Sequence, residues 1–144
     1  MNILVSACLL GMDCRYDGTH AYCPALEQLM AEHVLIPVCP ERRGGLPTPR
    51  VPAERQGERV VTRDGDDVTS AYIAGAQEAL RLAKQYDCRY AIFKERSPAC
   101  GSGAIYDGSF SSRLIPGDGV AAQLLRKNGV IVLGESQISA LVSR

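Results

Sequence analysis

Six cysteines at positions 8, 14, 23, 39, 88 and 100 are the residues of this sequence best suited to chemistry. A thiolate can act as nucleophile, metal ligand or redox centre, and the compartment decides which use dominates. No basic stretch followed by an apolar run and a cleavage site opens the chain, and no apolar run is long enough to span a bilayer. A cytoplasmic protein is therefore expected, with thiols that bind metal, react or fill a core rather than pair as disulfides.

Three of the cysteines close strand-like runs or stand in the loop just after one, in Ser6-Ala7-Cys8, Pro37-Val38-Cys39 and Ser97-Pro98-Ala99-Cys100. They are tens of residues apart, far too widely spaced for a zinc knuckle or a thioredoxin motif. On parallel strands, however, all three would reach one sheet edge. Iron–sulfur clusters are held by Cys thiolates gathered in this way. Three thiolates on a cubane leave one iron open to a substrate atom, which makes it a Lewis acid. A single buried cysteine is more often a small core hydrophobe. Glycine and proline around Cys39 and Cys100 argue against that here, since they keep bulk away and let backbone N–H groups approach. Cys23 and Cys88 lack such surroundings and are assigned to packing. Cys14 is either a fourth ligand or only a neighbour.

The polar residues beside these thiols supply the remaining chemistry. Glu41 is either a general acid and base next to Cys39 or a solvated loop carboxylate. Ser97 either orients a substrate or caps a turn. Arg50, on the stiff stretch Leu46-Pro47-Thr48-Pro49-Arg50, suits a planar or anionic ligand; the alternative is a surface salt bridge. Lys94 and Glu95 lie further back. The two histidines are poor candidates, because His33 continues an apolar stripe and His20 has no second histidine at ligand spacing.

The elements that position these groups follow from hydrophobic periodicity. Strands are predicted over Ile3–Ala7, Val34–Val38, Tyr90–Phe93 and Val130–Leu133, with a weaker one over Arg59–Thr62. Helical stripes run through Leu26, Leu29, Met30 and His33, through Tyr72, Ala76, Leu80 and Ala83, and through Val120, Leu124 and Leu125. Asn128-Gly129 stops the third helix, and Ser136 is placed to cap a short last helix through Arg144. Strand and helix in alternation predict an α/β fold, a single domain over residues 1–144 with a mostly parallel sheet flanked by helices in a Rossmann-like three-layer sandwich. The first strand has no polar alternation, as expected of a central strand covered on both faces. Two long segments, Pro40–Glu58 and Glu95–Gly119, fall outside this alternation. Both leave the carboxyl end of a strand, where open α/β sheets bind ligands. Tyr16-Asp17-Gly18 recurs as Tyr106-Asp107-Gly108, either two similar turns beside one site or a chance repeat.

Composition narrows the function classes. With 46% hydrophobic and 22% charged residues the chain is an ordinary globular sequence rather than a disordered or coiled-coil one. Lys plus Arg and Asp plus Glu both total 16, so no bulk positive field favours a large RNA partner.

Taken together, the motifs resemble one small bacterial family, long treated as a domain of unknown function and now represented by thiouracil desulfidase. They are Val5-Ser6-Ala7-Cys8-Leu9-Leu10-Gly11 with Cys14-Arg15-Tyr16-Asp17-Gly18, then Cys39-Pro40-Glu41 with Gly44-Gly45-Leu46-Pro47-Thr48-Pro49-Arg50. Lys94-Glu95-Arg96-Ser97-Pro98-Ala99-Cys100-Gly101 and Ile105-Tyr106-Asp107-Gly108 complete the set, and the resemblance runs from Asn2 to Leu133. It implies a 4Fe-4S cluster on Cys8, Cys39 and Cys100, whose unligated iron takes the sulfur of a thiolated pyrimidine such as 2-thiouracil without net redox change. Glu41 and Ser97 match the family's catalytic carboxylate and serine. The implied partner is a small thiolated base or nucleoside, and the oligomeric state is not implied. Arg42-Arg43 stands where many relatives have an apolar pair, which bears on substrate choice. Two competing expectations are a sulfur- or cluster-binding module that does not catalyse, and a zinc or thiol-core interaction protein.

Overall fold

The structure is a computed structural model and describes residues 1–142. In chain order its regular elements are β1 (Asn2–Ser6), α1 (Leu26–Met30), β2 (Val34–Val38), α2 (Pro40–Arg43), β3 (Ala53–Gln56) and β4 (Arg59–Thr62). They continue with α3 (Thr69–Gln85), β5 (Tyr90–Phe93), β6 (Ala104–Tyr106), β7 (Leu114–Pro116), α4 (Val120–Lys127) and β8 (Ile131–Gly134). Two 3-10 segments, Ala7–Leu10 and Glu135–Leu141, follow β1 and β8.

The central sheet has the order β2-β1-β5-β8, and every pairing in it is parallel. The run Ile3-Leu4-Val5 is fully buried because both faces of β1 are covered. Leu4 packs with Phe93, Tyr72 and Leu125 on the face of α3 and α4. Ile3 and Val5 pack on the opposite face with Leu26 and Leu29 of α1, Leu9 and Ile138. Two helical layers therefore enclose one sheet, the predicted α/β arrangement. The α3 stripe of Tyr72, Ala76, Ala79 and Ala83 is buried, and small side chains let the helix lie close to the sheet. Asp67 starts α3 by accepting the Thr69 N–H at 2.9 Å, and α4 ends at Asn128-Gly129, where Gly129 takes φ +85.

Several expectations are corrected. The weak strand Arg59–Thr62 does not join the central sheet; it pairs antiparallel with β3 in a separate hairpin. The two long segments outside the alternation carry regular structure of their own: one contains α2 and β3 and the other the antiparallel pair β6–β7. β3, β6 and β7, of three or four residues each, show too little periodicity to be read in advance. The first helix ends at Met30, so His33 lies beyond it and faces the amino terminus at 3.2 Å, while Met30 is exposed. Ser136 caps no helix: the last segment is 3-10, Gln137 Oε1 accepts the Gly134 N–H, and the Ser136 N–H goes to Glu95. The expected end at Arg144 lies outside the described residues.

Candidate active site

β1 and β2 run in register, with Ser6 opposite Val38, so the residues that follow them emerge side by side at the carboxyl edge of the sheet. Cys8 leaves β1 in the 3-10 segment, and Cys39 leaves β2 as the residue before α2. Beyond β5 the chain turns, and Cys100 closes that turn. All three thiols line one cavity of about 450 Å³, together with Cys14, Glu41 and Ser97. None of the six cysteines is in a disulfide. Cys88 and Cys23 pack in the two cores, as their sequence surroundings predicted.

The Cys100 turn is fixed from below. Ser97 Oγ accepts the N–H groups of Ala99 and Cys100, each at 3.1 Å, so its hydroxyl does cap a turn while also facing the cavity. Its proton is not used by those two bonds. Ser6 Oγ accepts the Lys94 N–H at 2.8 Å and, like Ser97, hydrogen-bonds the Cys100 sulfur. Burial pushes the Cys100 thiol well up, and the two serines only partly offset this. Cys14 lies between two of the other thiols. Its hydrogen bond with Cys39 favours ionisation, but that with Cys8 and burial outweigh it and raise the thiol. The Cys39 thiol is raised strongly by the Cys14 contact and then by burial.

Glu41 is the most constrained polar group of the site. Tyr72 Oη donates to its Oε2 at 2.7 Å, and Arg50 Nη2 meets the same oxygen at 3.2 Å. Among the described residues these bonds to the carboxylate all fall on Oε2, which leaves Oε1 for the cavity that Glu41 lines. Burial, then the Glu41 charge, hold the Tyr72 phenol far above its usual range, and it remains a donor. Arg50, expected to suit a planar or anionic ligand, lines the same cavity and is also tied within the protein. Its Nε and Nη2 reach Glu41, its Nη1 reaches the Pro47 carbonyl and Thr48 Oγ1, and its Nη2 also reaches the Cys14 carbonyl. All five N–H groups are thereby committed within the protein. A ligand could engage Arg50 only by breaking one of these bonds.

Backbone packing sets where Glu41 stands. The one-turn helix α2 presses on α3 at two glycines: a Cβ on Gly44 would strike the Ala71 carbonyl, and one on Gly75 would strike the Pro40 carbonyl. In an ordinary helix Gly to Ala gains about 1 kcal/mol. Here the obstacle is backbone, which cannot swing aside, and overpacking costs about 1–3 kcal/mol. Gly75→Ala is thus expected to lower Tm by several degrees and to draw Glu41 away from Tyr72; an unchanged Tm in thermal unfolding would remove this contact from the account.

Three residues of the site were not visible as such in the sequence. Tyr72 read as a core stripe, yet a buried tyrosine in place of phenylalanine signals a partner for its hydroxyl. Ser6 was a polar residue in a fully buried strand, which carries the same signal. The third, Phe110, lies in a loop without periodicity. The repeated tripeptide, by contrast, marks two matching turns: Asp17 accepts the Thr19 N–H at 3.1 Å, Asp107 accepts the Ser109 N–H at 2.9 Å, and both Tyr16 and Tyr106 line the cavity. Arg42 and Arg43 do not line it, and Arg43 instead meets Glu78 across α2 and α3. Lys94 and Glu95 line it but are tied to the last segment, Lys94 to Glu135 at 3.2 Å and Glu95 to the Ser136 N–H.

Among the described residues no three His, Cys, Asp or Glu side chains converge as around a single metal ion. Thiolates on separate irons of a cubane stand wider apart than ligands of one ion, and thiols spread around a cavity are the donor set such a body needs. No helix is long and apolar enough to cross a membrane among the described residues.

Fold and cavity together define an α/β protein with a thiol-rich site at the carboxyl edge of a parallel sheet. The family model for 2-thiouracil desulfurase matches residues 3–137, and the chain belongs to that family. It is 42% identical to the uncharacterized protein YbbK of Bacillus subtilis (strain 168) over 97% of this chain and 99% of the relative. It also superposes on a solved structure of the [4Fe-4S]-dependent thiouracil desulfidase TudS with a TM-score of 0.92, at 48% identity over 97% of this chain and 94% of that one.

Proposed function

We propose that this protein removes sulfur from a small thiolated pyrimidine base or nucleoside, such as 2-thiouracil, at a 4Fe-4S cluster held by Cys8, Cys39 and Cys100. The observation that carries the reading is that these three thiols open on the same cavity as Glu41. The family and the [4Fe-4S]-dependent neighbour support it. When bound, such a cluster supplies an open iron that acts as a Lewis acid toward a thiocarbonyl sulfur.

The protein's own residues do the rest. Glu41, fixed through Oε2, takes a proton from a water at Oε1, and that water attacks the thiocarbonyl carbon. The Ser97 hydroxyl turns its proton from the Cys100 sulfur to the ring or to the charge that develops on it. Carbon exchanges sulfur for oxygen, so thione and water give the oxo base and hydrogen sulfide with no electron gained or lost. Arg50 and Tyr72 do not touch the substrate; they keep the carboxylate aimed. A cavity of about 450 Å³ has the size of a small-molecule site, which fits a base or nucleoside. The reaction is assigned to the cytoplasm, where free thiols persist.

The test is iron and acid-labile sulfide analysis of anaerobically reconstituted protein, followed by sulfide release from 2-thiouracil. Iron and sulfide in equal amounts with stoichiometric conversion to uracil are expected. Bound zinc without labile sulfide, or a loaded protein that releases no sulfide, would overturn the reading.

A further inference from the structure

We propose that Phe110 determines specificity, serving as the aromatic platform against which the substrate ring lies; this rests on the desulfidase reading above. Phe110 lines the cavity that holds the three thiols and is half-buried there. Its backbone sits at φ +57, a region where a bulky side chain is a genuine outlier. Asn or Gly would make the same turn without that cost. Arg96 and Ser112, at φ +68 and +61, line the cavity too, so three of the four non-glycine residues with positive φ among the described residues gather at this site. Strain of this kind persists only where the surroundings enforce it.

The enforcing contacts come from the neighbouring hairpin. Glu54 Oε1 of β3 accepts the N–H groups of Phe110 at 3.1 Å and Gly108 at 3.0 Å. Gln56 Nε2 donates to the Gly108 carbonyl at 2.9 Å, and a Cβ on Gly108 would stand 2.6 Å from Gln56 Cγ. The β3–β4 hairpin thus latches the β6–β7 loop in place with Phe110 toward the cavity. A thiolated pyrimidine is flat, uncharged and offers two π faces, which an aromatic ring binds well and an aliphatic one does not. The chain has two phenylalanines and no tryptophan; Phe93 is wholly buried in the core, which leaves Phe110 as the phenylalanine available to a ligand.

Phe110→Leu keeps the bulk and the backbone strain but removes the π face. On the reconstituted holoprotein, KM for 2-thiouracil is expected to rise about tenfold, a loss that falls on KM more than on kcat. The calorimetric Kd for uracil, which has no sulfur to react, should rise by a similar factor, while Phe110→Tyr retains wild-type KM and Kd. Unchanged KM and Kd in Phe110→Leu, beside a wild type that releases sulfide and binds uracil, overturn the platform alone. A Tyr variant as impaired as the Leu variant does so as well, because it would show a structural role. A wild type that neither releases sulfide nor binds uracil overturns both this inference and the function it rests on.

Discussion

Cys39→Ser protein, reconstituted without oxygen, is expected to hold iron and acid-labile sulfide only at background. A serine hydroxyl is a far weaker acid than a thiol and offers hard oxygen where the cluster requires soft sulfur. Two remaining thiolates do not anchor a cubane, so the loss should be complete rather than graded. Cys8→Ser and Cys100→Ser are expected to behave alike, since all three thiols open on the same cavity. The control is Cys88→Ser, which places a hydroxyl in the core between α3 and β5, away from the cavity. It should lower Tm yet keep the full iron content. This contrast separates a ligand from a packing residue, because both substitutions replace a thiol by a hydroxyl. A Cys39→Ser protein with a normal iron and sulfide complement would take Cys39 out of the ligand set.

Glu41→Gln is expected to leave iron content and Tm near wild type and to lower kcat for sulfide release by at least about 100-fold, the usual size of a lost general base. Glutamine preserves shape and can still accept the Tyr72 hydroxyl, but it cannot take a proton from water. The charge partner of Arg50 is lost at the same time. Arg50 retains the carbonyls of Pro47 and Cys14, so the loop it braces should hold. Parallel measurement of iron content is essential, since Glu41 lies two residues from Cys39. Full activity with an intact cluster would remove Glu41 from the mechanism; loss of iron would show that it supports the ligand loop instead.

Much of this was legible in the sequence for identifiable reasons. The run Ile3-Leu4-Val5 announced a central strand because a strand covered on two faces has no polar alternation. Alternation of strands with helical stripes then brought the segments after β1, β2 and β5 to one edge, which is why thiols so distant in sequence share a cavity. What stayed hidden depended on partners outside the local sequence. The bracing role of Arg50 stayed hidden because its four partners in space, Glu41, Thr48 and the carbonyls of Pro47 and Cys14, leave no periodic trace. Tyr72 matched a helix stripe so well that its hydroxyl went unread. The strand β4 was legible, but its hairpin with β3 and the pair β6–β7 were not, because β3, β6 and β7 have three or four residues each and show no countable alternation of apolar side chains.

The two latched hairpins carry a consequence for how such a protein can diversify. The thiols stand on loops leaving the central sheet, whereas the wall bearing Phe110 belongs to excursions that contribute no strand to it. Inheritance can therefore rewrite that wall and leave the floor untouched. Libraries randomised only along residues 104–116 should yield descendants that prefer different rings while still loading iron, so that new tastes arise without reinventing the metallochemistry.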